Sequence, residues 1–135
     1  MPLRLFDTHA HLGDARFDTD RPAVLARARA AGVERLIEAS SDLPSSEAAC
    51  ALAGRYREQT DPAAPAIWCT IGIHPHEADT ADDAAMQSLA HLLEGPHADR
   101  IVAIGEIGLD YHYDFSPRPR QREAMSRQLA LAARA

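Results

Sequence analysis

The chain contains no lysine; all 14 of its basic residues are arginine, set against 20 acidic ones. We take the missing lysine as compositional bias. The resulting net charge of -6 argues against a domain that grips nucleic acid by charge alone, which would be basic. Cysteine is nearly absent. Cys50 and Cys69 fall on a predicted helix and a predicted strand, neither at ligand spacing from a partner. They are expected as reduced core thiols of a cytoplasmic protein. No apolar run approaches the roughly 20 residues of a membrane span, so no membrane partner is expected. The first residues lead straight into a strand, without the pattern of a signal peptide. What remains is an ordinary globular composition. The 135 residues are 46% hydrophobic, enough for one domain over residues 1–135 with a core of its own.

The most informative stretch runs from Ile101 to Tyr111. Ile101-Val102-Ala103-Ile104 reads as a buried strand that breaks at Gly105. Glu106 follows, then a glycine-rich turn with Asp110 and Tyr111. Packing explains a carboxylate at such a strand end poorly. Two other predicted strands end in the same polar fashion, one at Asp7-Thr8-His9-Ala10-His11 and one at Gly72-Ile73-His74-Pro75-His76. Together they suggest parallel strands that deliver polar groups to one rim.

The periodicity predicts strands over residues 3–8, 33–39, 66–73 and 100–105. Helices are expected over 21–31, from Pro44 to Arg57, from about Asp83 to Gly95, and from Pro119 onward. Asp20, Pro22 and Gly32 punctuate the first helix. Thr80 and Asp83 suggest a capping box for the third, and Met125 and Leu129 share one face of the fourth. Residues 59–65, with two prolines, read as a loop. Strand and helix therefore alternate four times, the pattern of right-handed βα crossover units and an α/β fold.

At strand period two, Asp7, His9 and His11 point to one side. Two imidazoles about 7 Å apart along a strand can converge on one metal ion, with Asp7 behind them to fix a ring tautomer. Exposed polar residues on a strand edge are the plainer alternative. Glu106 adds a carboxylate, and two histidines with one carboxylate leave positions open for water and substrate. His74 lies nearest its strand end, where it could meet an oxygen of a metal's water or of a phosphate; His76 reads equally as a surface residue. Asp110, Tyr111 and His112 lie where such folds place substrate contacts, although Asp110 also suits a turn cap. His91 and His97 read as surface histidines. Arg118, Arg120 and Arg122 suit a phosphate or, slightly better, a solvated helix start.

These motifs, in this order, resemble the TatD family of metal-dependent hydrolases: Asp7 to Leu12, Gly72 to His76, Gly105 to Tyr111, and a tail with Gln121 and the run from Gln128 to Ala132. The tail departs from the usual pattern at Met125, where an aromatic is more common. The resemblance implies a (β/α)8 TIM-type barrel of the amidohydrolase superfamily and deoxyribonuclease activity. It implies a centre of up to two divalent ions (zinc, magnesium or manganese), with His9 and His11 on one and Glu106 bridging both. His74 would be the active-site histidine, and the substrate would be DNA or another phosphodiester. The family also draws two later histidines and a late aspartate from strands that these 135 residues do not include, and a full barrel takes about 250 residues. The expectation is thus the first four β/α units, a half-barrel, read as a truncated product or fragment holding about one ion and turning over weakly alone. It would pair with a missing C-terminal half or with itself, since open strand edges invite association. Two alternatives stand: a non-catalytic half-barrel that self-associates around a partial metal site, or another amidohydrolase-type phosphoesterase. The Gly105 to Tyr111 stretch argues against the latter.

Overall fold

The computed structural model describes residues 4–57 and 61–135. Leu3 of the first expected strand, and Gln59 and Thr60 of the expected loop, lie outside the described residues. Four strands alternate with four helices in the described chain: β1 (Leu5–Ala10), α1 (Arg21–Ala30), β2 (Val33–Glu38), α2 (Leu43–Arg55), β3 (Ala66–Ile71), α3 (Asp83–Leu92), β4 (Ile101–Ile104) and α4 (Arg118–Ala132). The strands form one parallel sheet in the order β1-β2-β3-β4. This is half of a TIM-type barrel, with the C-terminal ends of all four strands on one rim.

The core lies between the middle of the sheet and its helices. Leu36 of β2 and Ile67, Cys69 and Ile71 of β3 pack with Ala49, Cys50 and Ala53 of α2, Leu89 of α3 and Leu25 of α1. Each fully buried aliphatic side chain contributes about 1.5–3 kcal/mol. The two cysteines are free and buried here, their sulfurs 3.8 Å apart. The outer strands are covered less. Leu5 and Phe6 of β1 and Val102 of β4 stay exposed, and a groove of about 580 Å³ runs along β4 between Leu93, Val102 and Ala132.

The helix starts follow local chemistry. Asp42 accepts from the N–H of Ser45 while Ser45 Oγ receives the N–H of Asp42, closing a capping box on α2. Gly32, at φ 101°, turns the chain from α1 into β2. Two expectations fail. Residues Pro75–Thr80 form a 3-10 turn in which Thr80 Oγ1 donates to the Glu77 carbonyl, so Asp82 rather than Thr80 caps α3, through the N–H of Ala85. On α4 the buried face is Gln121, Ala124, Gln128 and Leu131, whereas Leu129 is exposed and Met125 only half-buried. That helix stands over the Pro75–Thr80 turn, where main-chain groups need polar partners more than apolar contact.

The β1–β2 register bears directly on the rim. From Asp7 to Ala10 β1 advances three residues while β2 advances two, from Leu36 to Glu38. One extra residue in β1 makes the pairing irregular between Asp7 and Ala10.

Candidate metal centre and active site

His9, His11 and Glu106 meet at the rim. The Nε2 atoms of the two histidines lie 3.0 Å apart. Glu106 brings one carboxylate oxygen to 3.6 Å from His9 Nε2 and the other to 3.7 Å from His11 Nε2. One ligand atom from each lies within 4.8 Å of the others. The histidine rings are about half exposed, so solutes reach the site. Neighbouring backbone sets each side chain. The Ala39 carbonyl accepts from His11 Nδ1 at 3.1 Å, which places the ring proton there and leaves Nε2 bare for a cation. Asp7 accepts from the backbone N–H of His9 at 3.1 Å and so steadies His9 through the main chain. The Glu106 N–H donates to the Ser40 carbonyl at 2.8 Å, and the Gly105 N–H to that of Ile71. Two imidazoles with a bare or exchangeable nitrogen and one carboxylate suit a divalent transition-metal cation.

His74 stands beside this cluster. Its N–H donates to the Ser41 carbonyl, and its Nδ1 accepts from the His76 N–H at 3.2 Å. The neutral ring therefore carries its proton on Nε2. Burial, then His76, push the His74 pKa below the ordinary imidazole value, with Glu106 and Asp110 acting the other way. His76 is not a free surface residue, because its Nε2 pairs with Asp110 Oδ2. The other Asp110 oxygen accepts from the N–H groups of His112 at 2.9 Å and Tyr113 at 3.1 Å. His76, then these N–H groups, hold the Asp110 carboxyl at about 2. Asp110 is thus both turn cap and histidine partner. Tyr111 lies under the Arg118 guanidinium, 4.4 Å from the ring centre, and its hydroxyl accepts from Arg122. Arg118 also grips Asp114, and Arg120 pairs with Glu123 and Asp79. That agrees with a solvated helix start. His97 was expected at the surface; instead its ring packs where Gly54 of α2 leaves room.

Several buried polar residues behind the site have a structural role that sequence reasoning missed, Gln121 and Gln128 having entered it only as part of the family-like tail. Glu38 at the end of β2 accepts from the N–H groups of Leu12 and Gly13 at 2.8 and 2.7 Å, fastening the loop after His11. Burial raises its pKa despite these bonds. Ser40 Oγ donates to the Thr70 carbonyl, and Ser46 Oγ donates to Ser40 Oγ while accepting from the Gly72 N–H. Gln128 brackets Ile73, accepting from its N–H at 2.7 Å and donating to its carbonyl at 3.0 Å. Gln121 does the same for Asp110, at 2.8 and 3.1 Å. The one available signal was the pair of glutamines, seven residues apart on one helix face.

Residues 6–135 match the family described as TatD related DNase. The chain belongs to that family. Similar curated proteins include the 3'-5' ssDNA/RNA exonuclease TatD of Cronobacter turicensis, 40% identical over 129 residues, covering 96% of this chain and 45% of the relative. The metal-dependent hydrolase YabD of Bacillus subtilis is 40% identical over 128 residues, covering 95% and 46%. Among solved structures, the TatD homolog YJJV of Escherichia coli superposes with a TM-score of 0.83 at 33% identity, covering 99% of this chain and 48% of that one. A TatD family hydrolase from Entamoeba histolytica gives 0.85 at 27% identity, covering 99% and 47%. The chain spans about half the length of the curated relatives it matches, and the fold agrees: four of the eight β/α units of the family's barrel.

Proposed function

We propose that these 135 residues supply the first metal-ligand set and substrate rim of a hydrolase that cleaves phosphodiester bonds in nucleic acid, DNA foremost. The convergence of His9, His11 and Glu106 carries this reading. Those three residues would hold a divalent ion. When bound, such an ion supplies Lewis-acid stabilisation of the charge that builds on a phosphodiester. It also offsets the negative charge of this acidic chain where an anionic substrate must approach.

The chain's own residues do the rest. Glu106, on the backbone of Ser40, keeps both carboxylate oxygens turned to the histidines. His74, neutral and protonated on Nε2, donates to an anionic oxygen of the substrate. Asp110 holds His76, whose N–H in turn holds the His74 ring. Tyr111 lines the substrate side of the same loop. Three ligands suffice for one ion, so one ion per chain and slow turnover are expected of the chain alone. The two free, buried cysteines suit a reducing compartment, and we place the activity in the cytoplasm. Calorimetric titration with manganese or zinc, paired with hydrolysis of a labelled single-stranded oligonucleotide, tests this reading. About one ion bound and hydrolysis lost in Glu106→Gln support it. Metal binding unaffected by Glu106→Gln or His9→Ala overturns it.

The exposed edges favour a second reading, in which the half-barrel pairs with another copy or with a C-terminal β/α half. Sedimentation velocity with and without metal separates a monomer from a pair.

A further inference from the structure

The loop between β4 and α4 carries the most exposed aromatic rings among the described residues. Tyr113 and Phe115 are 59% and 67% exposed. They nonetheless stack on each other, centroids 5.3 Å apart and planes 28° from parallel. Rings that merely close a loop bury themselves; these keep most of their surface in water, at a cost.

Their arrangement is built by the residues around them. Asp114, between the two, takes φ 50°, a left-handed conformation uncommon outside glycine. The Arg118 guanidinium holds its carboxylate at 2.6–3.0 Å. Asp110 caps the N–H of Tyr113, and Ser116 Oγ, just beyond Phe115, donates to the His76 carbonyl. The pair is also continuous with the candidate active site. The His76 ring meets Phe115 edge-on at 4.7 Å and Tyr113 at 5.8 Å. It also meets the His74 ring at 4.3 Å, and His74 feels the charge of Glu106. An unusual backbone conformation beside a reaction site, maintained by several independent bonds, points to function.

We infer that Tyr113 and Phe115 form a stacking platform for an unpaired nucleobase of the strand whose phosphate lies at the His9, His11 and Glu106 cluster. The inference rests on the proposed nucleic-acid function and deepens it by assigning two residues that would contact a base of the substrate. A flat aromatic face accepts any base, but only one not already stacked and paired in a duplex. The platform therefore selects single strands, or the frayed ends of duplexes, with little regard to sequence. His76 links the platform to His74, so a base seated on the rings fixes the position of the adjoining phosphate.

The test uses the whole chain with saturating manganese and two nuclease-resistant phosphorothioate probes, read by fluorescence anisotropy. One is a fluorescein-labelled hexathymidylate; the other is the same backbone with every base removed. The wild type should bind the base-bearing probe more tightly. Tyr113→Ala and Phe115→Ala should each weaken that binding roughly tenfold and leave the abasic probe unchanged, while Phe115→Trp retains the preference. Manganese affinity, unchanged in all variants, serves as the control for folding and for the metal site. Equal affinity of the alanine variants and the wild type for hexathymidylate overturns the platform and leaves the nucleic-acid reading standing. So does an equal loss on both probes. A wild type that binds manganese but neither probe overturns both.

Discussion

The rim and the edges of this sheet are finished to different standards. At the rim five residues near the site have a dedicated buried partner for their main chain: Glu38 for Leu12 and Gly13, Ser46 for Gly72, Gln128 for Ile73, Gln121 for Asp110. Along the edges, Phe6 and Val102 are each 51% exposed and the groove beside β4 lies open, while Leu129 on the neighbouring helix α4 is 49% exposed. Buried polar brackets are costly unless fully satisfied, and each of these is satisfied within the four β/α units. The apolar edges have no such partners among the described residues, and open strand edges of this kind invite association.

The contrast can be broken most directly at the ligands. His9→Ala or Glu106→Ala should weaken divalent-metal affinity by at least about 100-fold, beyond the usual cost of losing a supporting group. His91→Ala, on the exposed face of α3, should leave it unchanged; calorimetry with manganese gives the comparison. The next largest effect belongs to a bracket. Gln128→Leu leaves the Ile73 N–H and carbonyl without partners and should cost about 3 kcal/mol of stability in urea unfolding. Leu129→Gln, one residue along the same helix, should change stability by less than about 0.5 kcal/mol while reducing self-association in sedimentation. Equal costs for the two would erase the difference between rim and edge. The smallest effect is in pH. The Asp110 carboxyl is held at about 2, below its ordinary range near ~4. Its contribution is therefore complete above that range and lost as pH falls through about 2. A carbon-13 titration of Asp110, followed with the His112 and Tyr113 amides, should show that low midpoint; a midpoint near the ordinary value would show that the contact to His76 does not hold the loop.

The same contrast explains what could be read from the sequence. His9, His11 and Glu106 were legible because each sits where an apolar strand gives way to a polar end, and parallel strands bring such ends together. The four β/α units were legible from alternating periods. Glu38 was not, since in Val33 to Glu38 it looks like one more polar residue on a strand, and only the return of the loop after His11 buries it. α4 misled for a related reason. Its apolar residues marked a face through Met125 and Leu129, yet the face that packs carries two glutamines, because its counterpart is main chain. The pairing irregularity between Asp7 and Ala10 was not legible either, because an extra residue in β1 leaves no mark in composition.

Gly72 and Gly105 set a manufacturing tolerance for the centre. A single methyl on Gly72 would come within 2.9 Å of the Gly105 backbone, closer than atoms sit, so β3 and β4 approach here backbone against backbone. The next residue after Gly105 is Glu106, the carboxylate of the candidate metal centre. Metal–ligand distances hold to about 0.2 Å, less than the displacement such a methyl would force. The calibre of the site is therefore fixed at a position that binds nothing, by the absence of a side chain.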